Sequence, residues 1–286
     1  MTVPRDLHGL MDLLWRNGFV AADEEADELL AAAGGDAARL EALVARRLTG
    51  EPLAWITGGV VFCGVALHVE PGVYVPRWQS EALAERAAER LPPGGTAVDL
   101  CTGCGAIARV LLQRRPGTRV VASDVDERAV ACARANGVEA YAGDLFTPLP
   151  AALAGRLDVV VGVVPYVPTP ALPLLQRDTL TFESPVSYDG GPDGADVLRR
   201  AVAGAARWLR PGGALLLELG GDEANAVSPD LAAHGFADVV VARDEDGDVR
   251  AVEATLNPGR RPMPTPTRNP APQAGVRRPP EPGASR

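Results

Sequence analysis

Residues 96–112 read TAVDLCTGCGAIARVLL, and this segment decides the fold. Residues 96–100 favour a buried strand, and the apolar run that follows the turn has helical spacing. Between them, Gly103 and Gly105 permit a tight turn and let the backbone approach a ligand closely. The free N–H groups at the start of such a helix are a ready site for a bound ligand. The segment therefore predicts a strand, a ligand-binding loop and a helix, in that order.

The alternation of strand and helix continues to about residue 255 and indicates an α/β domain. It favours a mostly parallel, doubly wound sheet of the Rossmann type, in which ligands bind at the carboxyl ends of the first strands. The predicted strands lie near 96–100, 118–123, 138–141, 157–162, 214–219, 236–241 and 249–255. The predicted helices lie near 79–91, 105–114, 127–135, 194–209 and 222–234.

The N-terminal part of the chain has a different pattern. Three amphipathic stripes within residues 4–49 predict a small helical bundle, and residues 59–75 alternate around turn glycines as a hairpin does. The expected domains are a helical bundle at 1–58, a hairpin linker at 59–78, an α/β domain at 79–257 and a Pro/Arg-rich tail at 258–286.

Composition limits the classes of partner. The formal net charge is −9, and the tail from Pro258 holds six Arg and one Glu, a local charge of +5 that leaves −14 for the rest. An acidic body argues against nucleic acid as a direct partner, because phosphate neutralisation needs a basic face. The tail has too little apolar surface to fold alone, so disorder is expected there. No apolar stretch is long enough for a membrane span and no signal-peptide core is present, which predicts a cytoplasmic protein.

Three aspartates are expected at the same edge of the sheet. Asp99 precedes the glycine turn, Asp124 ends the next predicted strand and Asp144 follows the third. A carboxylate in the position of Asp124 can accept hydrogen bonds from both hydroxyls of a ribose, and Asp144 could reach an adenine amino group. Three acids suit a cationic, phosphate-free ligand such as S-adenosylmethionine. The candidate cofactor-binding residues are Asp99, Cys101, Thr102, Gly103, Gly105, Asp124, Val125, Gly143, Asp144 and Leu145.

Two other interpretations of the glycine loop have less support. Residues 103–108 satisfy the loose fingerprint of a nicotinamide-dependent oxidoreductase, but Asp99 would repel a pyrophosphate. Cys101 and Cys104 have the C-x-x-C spacing of a redox pair, yet the glycines and Asp99 already account for the loop. There is no second cysteine pair and no histidine cluster, so no metal site is predicted.

Five segments together carry a resemblance to a known family. They are GEPLAWITGGVVFCGVALHVEPGVYVPR at 50–77, DLCTGCGAIA at 99–108, PYVP at 165–168, FESPVSYDGGPDGADVLRR at 182–200 and LRPGGALLLELG at 209–220. The chain, over residues 5–257, resembles the HemK/PrmC family of protein-(glutamine-N5) methyltransferases, which modify peptide-chain release factors. The resemblance implies a seven-stranded class I S-adenosylmethionine-dependent methyltransferase domain and a protein substrate of the release-factor class, methylated on a glutamine side-chain amide.

The signature loop of this family reads Asn-Pro-Pro-Tyr, and Val163, Val164, Pro165 and Tyr166 occupy these positions here. The resemblance implies that these four residues form the catalytic loop. In the family, the Asn side chain and the next backbone carbonyl hold the substrate NH2 group, and the Tyr packs against the reacting group. No strong base is required, because positioning beside a reactive methyl donor supplies much of the rate.

The two valines depart from the family pattern. Val163 has no side-chain acceptor, so one N–H of a bound amide would be left unpaired at a cost of ~1–3 kcal/mol. The adjacent valines are expected to form an apolar wall beside Tyr166. Two alternatives therefore stay open: a methyltransferase repurposed for a small-molecule amine or hydroxyl, and a catalytically silent methyltransferase fold that serves as an interaction protein.

Overall fold

The computed structural model describes residues 3–175 and 177–259, so the predicted tail at 258–286 lies almost wholly outside the described residues. The described N-terminal residues form four helices: α1 (Leu7–Arg16), α2 (Ala22–Ala33), α3 (Ala37–Arg47) and α4 (Leu53–Thr57). Side chains of Asp6 and Asp36 accept backbone N–H groups at the starts of α1 and α3. The apolar faces meet in one cluster around Leu10, Leu14 and Leu29. The three predicted stripes are therefore helices, and α4 is an addition to the prediction.

A hairpin connects these helices to the sheet. Its strands are β1 (Gly59–Phe62) and β2 (Val65–His68), which pair antiparallel as predicted. The indole N–H of Trp55 donates a buried hydrogen bond of 2.9 Å to the carbonyl of Val73, which joins α4 to the segment after the hairpin. Helix α5 (Glu81–Arg90) then leads into the sheet.

The central sheet has seven strands in the described part of the chain. They are β3 (Thr96–Leu100), β4 (Arg119–Asp124), β5 (Glu139–Ala142), β6 (Leu157–Gly162), β7 (Leu209–Glu218), β8 (Phe236–Arg243) and β9 (Val249–Leu256). Their order is β5-β4-β3-β6-β7-β9-β8, with β9 antiparallel to both neighbours and the other pairs parallel. The predicted α/β fold with a mostly parallel, doubly wound sheet is thus confirmed.

Helices cover both faces of the sheet. They include α6 (Ala106–Arg114), α7 (Glu127–Ala135), α9 (Asp196–Trp208) and α10 (Glu223–Ala233). The short helix α8 (Arg177–Phe182) follows the signature loop along the chain. One apolar cluster includes residues of α5, α6 and α7, and a second includes residues of α9 and α10. β4 and β6 flank β3 on opposite sides, and both are parallel to it. The loops that follow these three strands therefore open at the same edge of the sheet. No helix in the described ranges combines the length and apolar character of a membrane span.

The start of β7 differs from the prediction. This strand was expected from residue 214, but Leu209 already pairs with Leu157. The register then shifts before Ala214 pairs with Val159, across a stretch that contains Pro211 and two glycines. Such residues hide a strand from pattern analysis, since Pro cannot donate to the ladder and Gly marks bulges.

Candidate active site

The loop after β3 is folded around the carboxylate of Asp99. This side chain is 2% exposed, and its Oδ2 accepts hydrogen bonds from Thr102 Oγ1 at 2.6 Å and from the Ala108 N–H at 3.1 Å. Gly105 has φ +86°, and a Cβ there would lie 2.9 Å from Val138 Cγ2. Only glycine therefore allows the start of α6 to pack this closely on the sheet.

Burial controls the ionisation of Asp99. Desolvation raises its pKa to about 7, the negative charge of Asp124 adds to this, and the hydrogen bonds from Thr102 and Ala108 oppose it. A buried acid with this pKa is favoured in the charged form when a cation binds next to it.

Asp124, at the end of β4, is held by two backbone donors. Its Oδ2 accepts from the Gly103 N–H and its Oδ1 from the Asp126 N–H, each at 2.9 Å. Burial raises its pKa, and these two hydrogen bonds oppose the shift. A carboxylate has about four lone-pair sites, so both oxygens keep room for a ligand hydroxyl. The neighbouring Val125 is exposed.

The third predicted acid, Asp144, is already paired. It lies half-exposed after β5 and forms an ion pair with Arg200 of α9. On either side, Gly143 has φ +150° and Leu145 has φ +46°. The Gly143 N–H donates to the carbonyl of Asp124 at 2.8 Å, so the ends of β4 and β5 are tied together. An adenine contact by Asp144 stays a prediction.

The signature loop separates its two valines. Val163 is half-buried and lines the cleft with Phe62, Tyr74 and Ile107. Val164 is 1% exposed and belongs to the core cluster on the other face. The expected apolar wall of two valines is therefore wrong, because successive residues of an extended chain point to opposite sides. Of the two valines, only Val163 presents its side chain to the cleft.

Tyr166 is half-buried, and its hydroxyl donates to Oε1 of Glu218 at 3.2 Å. Burial and the charge of Glu218 raise the pKa of this phenol, so it stays protonated at neutral pH. Tyr166 is thus a hydrogen-bond donor that is already engaged with a carboxylate at the end of β7.

A glycine-rich segment holds the signature loop from outside. The N–H of Val167 donates to the carbonyl of Tyr188 at 2.9 Å, and the N–H of Gly190 returns to the carbonyl of Val167 at 2.9 Å. A Cβ on Gly194 would lie 2.4 Å from the backbone oxygen of Tyr166. The segment DGGPDG at 189–194 is therefore glycine-rich because two backbones are in contact.

This contact predicts the effect of Gly194→Ala. The substitution places a Cβ against the backbone of Tyr166 at a residue with φ +77°. We expect a loss of stability of ~1–3 kcal/mol and a fall in methyl transfer of at least about tenfold, since small displacements in a catalytic loop are costly. Gly117→Ala is the matched control, because its φ is +83° and nothing lies within 4 Å of its Cβ. Equal rates for the two variants in a methyl-transfer assay would contradict the expected displacement.

A partly buried ion pair links the segment after the hairpin to the segment after the signature loop. Arg77 Nη2 donates to Glu183 Oε2 at 2.5 Å and to the Tyr188 hydroxyl at 3.0 Å. Glu183 is 3% exposed, accepts from the Val75 N–H at 3.0 Å and also accepts from the Tyr188 hydroxyl. Tyr74 packs edge-on against Tyr188, with ring centroids 5.6 Å apart. The residue-by-residue predictions missed this network, although both segments belong to the quoted motifs.

A cavity of about 570 Å³ lies between the N-terminal helices and these residues. Glu28, Arg47 and Leu53 line it from the N-terminal side. From the sheet side it is lined by Tyr74, Arg77, Tyr166, Glu183, Glu218 and Arg250. Tyr74 also lines the cleft next to Asp99 and the cleft next to Asp124. Tyr74 therefore borders the cavity and both clefts.

The predicted residues fall into three groups: those that line the two clefts, those that line none of these spaces, and Tyr166, which lines the larger cavity. One group lines the two clefts: Asp99, Cys101, Thr102, Gly103, Asp124, Val125, Val163 and Pro165. The second group, which lines none of these spaces, is Gly105, Gly143, Asp144, Leu145 and Val164. Tyr166 and the unpredicted Glu218 line the larger cavity. The only hint of Glu218 in the sequence was a charge inside the apolar run LLLELG.

Cys101 and Cys104 are both free thiols, and burial raises the pKa of each, which disfavours a reactive thiolate. Among the described residues, no cluster of His, Cys, Asp and Glu is arranged to hold a metal ion.

Comparison with known proteins identifies the family. Residues 66–150 match the model of the methyltransferase small domain. A protein of Mycolicibacterium smegmatis named release factor glutamine methyltransferase is 38% identical over 84% of this chain and 85% of its own length. A protein of the same name from Geobacter sulfurreducens is 37% identical over 73% of this chain and 75% of its own length. The chain belongs to the release factor glutamine methyltransferase family.

A solved structure agrees on the fold. The methyltransferase from Pyrococcus furiosus superimposes with a TM-score of 0.51 at 19% identity, over 75% of this chain and 98% of that one. The release factor glutamine methyltransferase family and this fold imply S-adenosylmethionine as methyl donor, so the predicted class of enzyme is confirmed. The oxidoreductase, the small-molecule methyltransferase and the silent interaction protein are not favoured by these relatives.

Proposed function

We propose that this enzyme transfers a methyl group from S-adenosylmethionine to the side-chain amide nitrogen of a glutamine in a peptide-chain release factor. The observation that carries the proposal is the position of the signature loop. Val163 and Pro165 line the clefts beside the glycine loop, and Tyr166 lines the cavity of about 570 Å³. The loop thus lies between the clefts beside the glycine loop, which are assigned to the cofactor, and the cavity of about 570 Å³, which is assigned to the substrate.

The acids beside the glycine loop fit this cofactor. Asp99 binds its ammonium group, since a cation beside this buried carboxyl favours the charged form that burial disfavours. Asp124 accepts hydrogen bonds from the ribose hydroxyls, and Asp144 with Leu145 contacts the adenine. Cys101, Thr102, Gly103 and Val125 complete the walls, while Gly105 and Gly143 shape the backbone. When bound, the cofactor supplies a methyl group on a positively charged sulfur.

Positioning is the contribution of the signature loop to the reaction. An amide nitrogen is a weak nucleophile, so alignment with the methyl group must supply much of the rate. In this proposal the backbone carbonyl of Val164 accepts one amide N–H, and Pro165 keeps the loop rigid. Tyr166 borders the glutamine side chain that accepts the methyl group. The hydrogen bond from its hydroxyl to Glu218 holds Tyr166 in this position.

The lining of the cavity supports a peptide rather than a small apolar substrate. It carries three arginines, Arg47, Arg77 and Arg250, and three glutamates, Glu28, Glu183 and Glu218. Charges of both signs suit the N–H and C=O groups of an extended peptide. The N-terminal helices contribute Glu28 and Arg47, so this part of the chain takes part in substrate binding.

Mass spectrometry of a release factor incubated with the enzyme and S-adenosylmethionine tests the proposal. We expect the gain of one methyl group, localised by fragmentation to a glutamine. A release factor with that glutamine replaced by alanine should gain none. Methylation of an unrelated small amine, with the release factor unmodified, would overturn the proposal.

Cofactor affinity should depend on pH through Asp99. The free enzyme holds this carboxyl protonated below about pH 7, and a bound cation favours the charged form. We therefore expect affinity to rise with pH up to about 7 and then level off, with a proton released on binding below that pH. Because the folded pKa lies above 3.8, the contribution of Asp99 to stability declines as pH rises from 3.8 to about 7.

Calorimetry in buffers of different ionisation enthalpy measures this proton release. Asp99→Asn should flatten the pH profile and lower affinity by at least about tenfold, since it loses a buried charge-assisted contact. An unchanged profile in the Asn variant would assign the pH dependence to another group.

A further inference from the structure

Glu218 is a buried carboxylate, and one of its oxygens meets no donor with hydrogen-bonding geometry among the residues that the structure describes. The residue is 7% exposed and lines the cavity of about 570 Å³. Its Oε1 accepts the hydroxyl of Tyr166 at 3.2 Å, whereas Oε2 is buried and makes no hydrogen bond within the described residues. Buried acceptors are nearly always satisfied, because leaving one without a donor is costly. Although the Ser80 hydroxyl also lies close to the carboxylate, Oε2 keeps the capacity to accept a further hydrogen bond.

The charged neighbour of Glu218 is engaged elsewhere. Arg250 of β9 acts on the carboxylate at a distance, but its guanidinium binds Asp244 at 2.6 Å and Asp248 at 3.7 Å. Burial raises the pKa of Glu218, and side-chain hydrogen bonding first by Ser80 and then by Tyr166 opposes this shift. Glu218 is thus held near the cavity by neutral hydroxyl groups and forms no ion pair within the described residues.

Sheet pairing places Glu218 beside the signature loop. Strands β6 and β7 are parallel, and Gly162 pairs with Leu217. Val163 and Glu218 each follow these paired residues, so they leave adjacent strands at the same edge. The backbone register therefore places Glu218 beside Val163, the position that lacks a side-chain acceptor.

We propose that Oε2 of Glu218 accepts a hydrogen bond from the side-chain N–H of the glutamine that is methylated, in place of the acceptor that Val163 lacks. The inference rests on the proposed function, since it needs an amide substrate. An NH2 group has two donors: the backbone carbonyl of Val164 takes one and Glu218 takes the other. A carboxylate here also excludes a glutamate side chain from the site, because two like charges would share one buried pocket.

The variant Glu218→Gln tests this through the ratio of two affinities, one for a release factor with glutamine at the methylated position and one for a release factor with glutamate there. The probes are a release factor and its variant with glutamate at the methylated position, titrated at neutral pH in the presence of S-adenosylhomocysteine. The amide that Glu218→Gln introduces can donate to the glutamate carboxylate, so the preference for glutamine over glutamate should fall by at least about tenfold. A merely structural role would change both affinities equally, and an unchanged ratio would overturn the inference.

Glu253→Gln is the matched control. It is also a buried glutamate in the sheet, 9% exposed, but it pairs with Arg86 and does not line this cavity. The ratio of its affinities for the glutamine and glutamate forms of the release factor should equal that of the unmodified enzyme. A fall as large as that of Glu218→Gln would overturn the assignment to Glu218.

A double-mutant cycle asks whether Val163 and Glu218 substitute for each other. Glu218→Met removes the acceptor at similar volume and should lower methyl transfer about ten- to a hundredfold. In a Val163→Asn background the same change should cost less than about threefold, because the introduced side-chain amide supplies the missing oxygen. Melting temperature and cofactor affinity verify that each variant folds. Additive effects would overturn the inference.

These outcomes separate the two proposals. If the unmodified enzyme methylates no glutamine in the release factor, the proposed function and this inference both fail. If it methylates glutamine while the Glu218→Gln ratio is unchanged, the proposed function stands and only the role of Glu218 fails.

Discussion

Asp124→Ala is expected to weaken S-adenosylmethionine binding by about a hundred- to ten-thousandfold. A pair of charge-assisted hydrogen bonds to the ribose is worth ~1.5–3 kcal/mol each, and each 1.4 kcal/mol is a factor of ten. The substitution also removes the acceptor for the Gly103 N–H, which positions the glycine loop. Calorimetric titration of the cofactor measures the change.

Two further variants define the cause of the loss. Asp124→Asn keeps one oxygen for the backbone donors but loses the charge. Its affinity for the cofactor should therefore lie between that of the unmodified enzyme and that of Asp124→Ala. Glu139→Ala removes an exposed partner of Arg119 at the far end of β5 and should bind normally. A dissociation constant for Asp124→Ala within about threefold of the unmodified enzyme would contradict the ribose assignment.

Arg77→Met is expected to lower the free energy of unfolding by ~3 kcal/mol, the lower end of the range for a buried ion pair broken on one side. The lower end applies because the Arg77 side chain is 36% exposed, whereas that of Glu183 is only 1% exposed. The variant leaves Glu183 with the Tyr188 hydroxyl and the Val75 N–H, but without a cation. Denaturant unfolding with the cofactor absent measures the loss.

The double variant Arg77→Met, Glu183→Gln checks the mechanism. Removing both charges should restore part of the stability, because the remaining amide has no uncompensated charge to bury. Arg119→Met breaks the exposed pair with Glu139 and should cost less than ~1 kcal/mol. If the double variant were less stable than Arg77→Met, the loss would come from packing rather than from an unpaired carboxylate.

The elements of the sheet could be predicted because each depends on local pattern. Buried parallel strands appear as continuous apolar runs and helices as amphipathic stripes, so β3, β6 and α7 have the predicted bounds to within about one residue. Helix α8 and the early start of β7 were missed, since proline, glycine and short length leave little pattern there.

The arrangement of the loop around Asp99 could also be predicted in part. Asp99, Thr102 and Gly103 lie within a few residues of one another, and the loop brings them together by its own geometry. Asp144 shows the limit, because its partner Arg200 lies 56 positions away and could not be inferred from spacing.

The sequence by itself determined the strand and helix pattern, the glycine loop and the acids at the strand ends, because these follow from neighbouring residues and a fixed side-chain period. Only the tertiary structure decided that Val163 faces the cleft while Val164 enters the core, that Arg77 meets Glu183, and that Glu218 lies beside the signature loop. The physical reason is strand order: β6 and β7 are neighbours although about fifty residues separate them along the chain. Pairing across that distance depends on the packing of the whole core, which no local pattern encodes.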